Sequence, residues 1–263
     1  MKFAVILFTF SLSLTATVFG QKSLDKPFQK WSREEAQQLL SDSPWVRSYQ
    51  SVEGLAAIEK AAMLKDQDSS NAARVGPRAT DARAQAQPLA VPIVMARLHS
   101  GMVVREALVR LREIAANYDK MNGEKRAAFD STVKDILDCG YCKNYYIVTM
   151  SKSLNSSRQS VEDGLFQTLT NQQMKGMVWL VNDSGVRSPL IQFIPPKGAA
   201  DEAIFFFPRR DTGGKELISP ENKTFKIEFS GEFLTSKNPY YQIIPRSFDF
   251  EVDKITRENQ VLF

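Results

Sequence analysis

The chain has only two cysteines, and they stand three residues apart in Asp138-Cys139-Gly140-Tyr141-Cys142-Lys143. A Cys-x-x-Cys pair serves three chemistries: thiol redox, half of a metal site, or a short disulfide staple. Redox catalysis needs a stabilised thiolate. Here the pattern puts a helix C-terminus just before Cys139, and that end of the helix dipole, with Asp138 beside it, raises a thiolate's energy. Structural zinc wants four Cys or His ligands, and His99 is the single histidine of the chain. Covalent haem attachment uses Cys-x-x-Cys-His, and Lys143 stands where the histidine belongs. The preferred reading is a disulfide that fixes the angle between the preceding helix and the following strand. Its ring is small and reducible, so a thiol-disulfide redox protein using Cys139 and Cys142 stands as the alternative.

Over four residues the pair resembles the redox motif of the thioredoxin superfamily. In that family the first cysteine follows a strand and opens a helix; here it closes one, so the resemblance ends at the motif. Other chemistry is sparse. A lone His99 cannot build a histidine metal cluster, and no Gly-x-Ser-x-Gly elbow accompanies it. Gly213-Gly214-Lys215 lacks the upstream glycine and the following Ser or Thr of a phosphate loop. Glu34-Glu35 and Asp201-Glu202 fall on helix starts or loops, where acids are common. No catalytic residue, metal or cofactor is assigned. The most aromatic stretch is Phe205-Phe206-Phe207-Pro208-Arg209-Arg210. On a strand its phenylalanines point to both faces. Core packing is the default for them; a docking face made of Phe206, Arg209, Arg210, Tyr240 and Tyr241 is the alternative.

Several elements must position these residues. The chain opens with Lys2 and an uncharged, mostly apolar run to Phe19, then Gly20-Gln21. That is a signal-peptide pattern over residues 1–20, too broken by Ser and Thr for a membrane anchor. The expected location is therefore periplasmic or extracellular, with no transmembrane segment left after cleavage. Hydrophobic residues make up 43% and charged residues 24% of the 263, with a formal net charge of +4. So small and interleaved an excess argues against nucleic acid as a partner.

Ser32 and Glu35 form a capping box for a helix with Ala36, Leu39 and Leu40 on its apolar side, stopped at Ser43-Pro44. Trp31 and Trp45 flank it as packing anchors. Residues 45–52 read as a strand, 53–65 as a short alanine-rich helix, and 67–88, poor in large apolar groups, as a disordered insertion. A strand over 89–98 follows, with Pro92 pointing to an edge or a bulge. Residues 102–138 read as a helical hairpin: Val104, Ala107, Leu108, Leu111, Ile114, Ala115 and Tyr118 share one face of the first helix, and Ala128, Phe129, Val133, Ile136 and Leu137 are buried by the second. A strand follows from Asn144 to Met150, then a helix capped at Ser160 and ending near Gln173. Beyond Gly176, short runs at 177–182, 190–194, 203–208, 224–229 and 248–252 alternate with turn residues.

The pattern Trp31-Ser-x-x-Glu-Ala-x-x-Leu-Leu-x-x-Ser-Pro-Trp45 resembles the start of a group of exported bacterial proteins of unknown function. The Ala-Arg-Leu-His-Ser strand leading into Val104-Arg-Glu-Ala-Leu, and the Cys-x-x-Cys before a Tyr-Tyr strand, are similar to that group as well. The resemblance implies a bacterial envelope or extracellular setting and no particular activity. The expected architecture is α+β: an antiparallel, sandwich-like sheet protein of about eight strands with an inserted helical hairpin. An α+β region over 21–175 and a β-rich region over 176–263 pack as one unit. The expected function is non-enzymatic, in binding or envelope structure, with an unidentified protein or envelope partner.

Overall fold

A computed structural model of the chain describes residues 24–51, 92–154, 165–198, 201–235, 239–258 and 260–263. The signal-like stretch 1–20, the alanine-rich segment 53–65, the polar segment 67–88 and Ser160 lie outside the described residues.

Three helices carry the amphipathic patterns: α1 (Arg33–Ser41), α2 (Met102–Ala115) and α3 (Gly123–Asp138). The capping box of α1 is closed in both directions. The Ser32 hydroxyl accepts from the Glu35 N–H at 3.1 Å, and the Ser32 N–H donates to Glu35 Oε2 at 2.7 Å, which satisfies two orphan donors of the first turn. Ala36, Leu39 and Leu40 are buried between α1 and its neighbours. Trp31 and Trp45, 2% and 1% exposed, lock the two ends of α1 into the core. Gly101, which caps α2, is there for closeness: a Cβ on it would lie 2.6 Å from Trp45 Cδ1. Its backbone angles are ones that any residue adopts.

The strands are β1 (Val46–Gln50), β2 (Pro92–Leu98), β3 (Tyr145–Leu154), β4 (Val178–Asn182), β5 (Arg187–Pro189), β6 (Gln192–Ile194), β7 (Ala203–Pro208), β8 (Thr224–Phe229) and β9 (Ser247–Glu251), with a two-residue pair β10 (Thr256–Arg257) and β11 (Gln260–Val261). They form a five-stranded sheet in the order β1-β2-β3-β7-β6 and a four-stranded sheet in the order β5-β4-β8-β9, every pairing antiparallel. The fold class is thus α+β with antiparallel sheets.

Alternation decides which side chains point where. Phe205 and Phe207 of β7, with Tyr146, Val148 and Met150 of β3, enter one large buried cluster; so do Phe225, Ile227 and Phe229 of β8 and Phe248 and Phe250 of β9. The sheets meet through rings: Phe205 lies 5.1 Å from Phe193, 5.3 Å from Phe166 and 6.5 Å, edge-on, from Phe229. The same cluster takes in Trp31, Leu39, Val104 and Ala107, so the helices and the C-terminal strands share it. The buried Tyr146 hydroxyl within it is satisfied on both sides. It donates to the Ile218 carbonyl at 3.3 Å and accepts from the Ile218 N–H at 3.2 Å.

Five local expectations change. β2 is interior, flanked by β1 and β3; Pro92 is its first residue, where a missing N–H interrupts no ladder beyond it. Of the strand expected over 190–194 only Gln192–Ile194 is extended, paired with β7, and Leu190-Ile191 carries the chain there from Arg187–Pro189, which pairs with β4 in the other sheet. Only Val133 of α3 is buried; Ala128 is exposed, and Phe129, Ile136 and Leu137 are half-buried. On α2, Leu108, Leu111 and Ile114 are half-buried and Ala115 is exposed, whereas Arg105, Arg110 and Glu113 are buried. Periodicity located the faces but could not show how much partner surface each would find. Finally, the helix expected to end near Gln173 is one turn, Asn171–Met174, capped by Thr170 with Gln173 reaching back.

Candidate functional site

The cysteine pair sits where α3 hands over to β3. Cys139 terminates α3 in the left-handed region, at φ 37°, a conformation that costs a residue with a side chain about 1–2 kcal/mol. A 3-10 turn, Gly140–Lys143, follows, and a Cys139–Cys142 disulfide closes it with the Cα atoms 5.3 Å apart. The link holds the unfavourable residue in place. Two guanidinium groups brace the same corner. Arg105 Nη1 donates to the Leu137 carbonyl, one of the orphan acceptors of α3's last turn, and Arg209 Nη1 donates to the Cys142 carbonyl at 3.0 Å. Cys139 and Cys142 are 8% and 4% exposed and pack on Ile147, with Tyr145, Ile204 and Phe206 around them. Thiol exchange needs an accessible sulfur and a stabilised thiolate. This corner offers a covered pair at the wrong end of a helix, which is the geometry of a clasp.

The disulfide ring turns Tyr141 outward, to 71% exposure, with its ring edge-on to Phe206 at 6.4 Å. Tyr145 makes a second edge contact to Phe206 at 6.1 Å. Ile204 pairs across the sheet with Ile194, which is exposed, as is Ile191. The outer face of the five-stranded sheet therefore carries a rigid aromatic and aliphatic patch.

The docking surface expected from sequence comes together only in part. Phe206 belongs to this patch. Arg209 is half-buried, its guanidinium 5.1 Å from the Tyr146 ring centre and 5.2 Å from that of Phe263, so it serves packing. Arg210 is exposed beside Glu216 at 3.8 Å. Tyr241 does not line the surface: it is 6% exposed and stacks on Phe233 at 4.6 Å in the main core, whereas Phe206 points to the opposite face of its sheet. Of Tyr240 only the backbone, in the turn Pro239–Ile243, is among the described residues. The patch residues missed from sequence were Tyr141, Tyr145 and the isoleucines. Tyr141 was in view inside the Cys-x-x-Cys motif, where a four-residue ring must turn its middle residues away from the core.

His99 follows β2 beside a charged group. Arg97 pairs with Glu202 and also donates twice to the Leu40 carbonyl, at 3.0 and 2.9 Å. Burial holds the His99 imidazole below its ordinary pKa; Glu202 opposes this, and Arg105 and Arg97 add to it. A histidine depressed in the folded state contributes stability above its unfolded pKa and loses it as pH falls through the folded value. The urea midpoint should therefore fall on acidification from about pH 7 toward about pH 5, and His99→Asn should flatten that limb. A variant curve parallel to the wild type's would assign the slope to another group.

A concavity lies beside α2. Its space of about 370 Å³ is lined by residues of the N-terminal turn, α2 and the C-terminal pair, among them Phe28, Trp31, Met102, Glu106, Arg257 and Leu262. Glu106 is half-buried, and burial pushes its carboxyl above the ordinary range against the opposing charge of Arg105.

Among the described residues no group of three or more His, Cys, Asp or Glu is placed to hold a metal ion, and no helix is long and apolar enough to cross a membrane. No protein-family model, no curated protein and no solved structure matches this chain.

Proposed function

We propose that this is an exported protein that works by binding rather than by turnover. It meets a cell-envelope or extracellular protein partner on the outer face of the five-stranded sheet, around Tyr141 and Phe206. The signal-like pattern at residues 1–20 supports export, and the disulfide suits an oxidising compartment. The observation that carries the reading is Tyr141 itself. It is 71% exposed, yet its backbone is fixed by a covalent ring whose sulfurs are covered. A pre-ordered tyrosine offers contact area at low entropic cost, which is why such residues dominate protein interfaces.

Photo-crosslinking in intact cells tests this. A benzophenone side chain at position 141 should yield one discrete adduct in the envelope fraction, and the same group at the exposed Asp253 should yield none. Loss of that adduct in Phe206→Ser is expected too. Insulin reduction by the purified protein should stay at background for the wild type and for Cys139→Ser/Cys142→Ser alike. Equal adducts from both positions, or insulin turnover abolished by the cysteine changes, would overturn the reading.

A further inference from the structure

The cleft beside α2 is separate from that patch, and its charge arrangement is uneven. Lys26 and Arg257 line it, but both are engaged: Lys26 Nζ is 2.8 Å from Glu35 Oε2, and Arg257 donates to the Leu24 carbonyl at 3.0 Å with Asp25 at 4.0 Å. Arg105, next to Glu106 in the chain, directs Nη1 to the Leu137 carbonyl and Nη2 to the Ser100 carbonyl. Glu106 is left with no hydrogen bond or ion pair among the described residues. The remaining walls are apolar and aromatic. Phe28 and Trp31 meet edge to face at 6.3 Å, and Met102, Val103, Leu24 and Leu262 complete them. Met102, at the rim, is 39% exposed.

We infer that this cleft binds a small organic ammonium compound, its cationic head at the Glu106 carboxylate and its hydrocarbon portion along Phe28, Trp31 and Met102. A free carboxylate supplies the counter-charge, and aromatic walls favour an organic cation over a hydrated metal ion. The space of about 370 Å³ falls in the range of small-molecule sites and admits a short-chain amine. An anion would meet the one unpaired charge of its own sign, and a neutral alcohol would offer the carboxylate a hydrogen bond but no counter-charge.

Calorimetric titration at about pH 8, well above the ordinary carboxylate range, tests this with three probes of equal chain length: hexylammonium, hexanol and hexyl sulfate. Hexylammonium should bind at least about tenfold more tightly than the other two. Glu106→Gln should remove about tenfold of its affinity and leave hexanol unchanged. Met102→Trp, which fills the cleft from its exposed rim, should abolish binding of all three. The circular dichroism spectrum and the thermal midpoint show that both variants are folded. Absence of binding by any probe, equal binding of hexyl sulfate, or full hexylammonium affinity in Glu106→Gln each overturns the assignment. None of these outcomes bears on the crosslinking at Tyr141.

Discussion

Phe205→Ala is expected to cost about 3–5 kcal/mol of folding stability, the range for truncating a fully buried phenylalanine. Its ring is wholly buried and touches Phe166, Phe193 and Phe229, so it joins both sheets at once. Rigid β ladders on either side limit collapse into the gap, which puts the cost at the upper end of that range. For a chain of this size the thermal midpoint should drop by about 6–20 °C. Phe206→Ala is the matched control. It lies one residue away on the half-buried outer face and should cost less than half as much. Urea titrations of both variants, at constant m-value, make the comparison. Equal losses would mean that the two sheets do not share the core described above.

The second large effect belongs to Arg110. Its side chain is 10% exposed and that of its partner Glu113 is 6% exposed, at 2.9 Å. Arg110 Nε also donates to the Trp31 carbonyl at 2.8 Å, tying α2 to the segment that leads into α1. Arg110→Met strands the buried Glu113 carboxylate and removes the tie to Trp31, and about 3–5 kcal/mol should be lost. The double variant Arg110→Met/Glu113→Leu removes the stranded charge and should recover most of the loss, because a buried ion pair roughly breaks even against well-packed apolar groups. A double-mutant cycle on urea midpoints measures this. If the double variant is as unstable as the sum of the single ones, the pair is not coupled.

These two residues mark where sequence reading worked and where it stopped. Phe205 was readable: β7 and β8 begin and end at the residues expected, because alternation has a period of two and a buried face cannot slip by one residue. The α1 capping box was readable for a similar local reason. Arg110 was not. Leu108 and Leu111 flank it on a helix whose pattern looked amphipathic, and nothing local says that a guanidinium will be more deeply buried than they. That depends on Trp31, far away in the chain. The limited burial of α3 escaped for the same reason, since a pattern states what a face offers and not what covers it. At the candidate patch, Phe206 and the disulfide were visible in the sequence. The displacement of Tyr241 into the core required knowing which sheet face each aromatic occupies.

The strand order has a kinetic consequence. β3 must find both β2 and β7, and Arg47 of the first strand donates to the Asp249 carbonyl, 202 residues further on. Pairings so distant form late and slowly, because chain closure is paid before contacts repay it. The five-stranded sheet waits for β7, which ends at Pro208, and the four-stranded sheet for β9, which ends at Glu251.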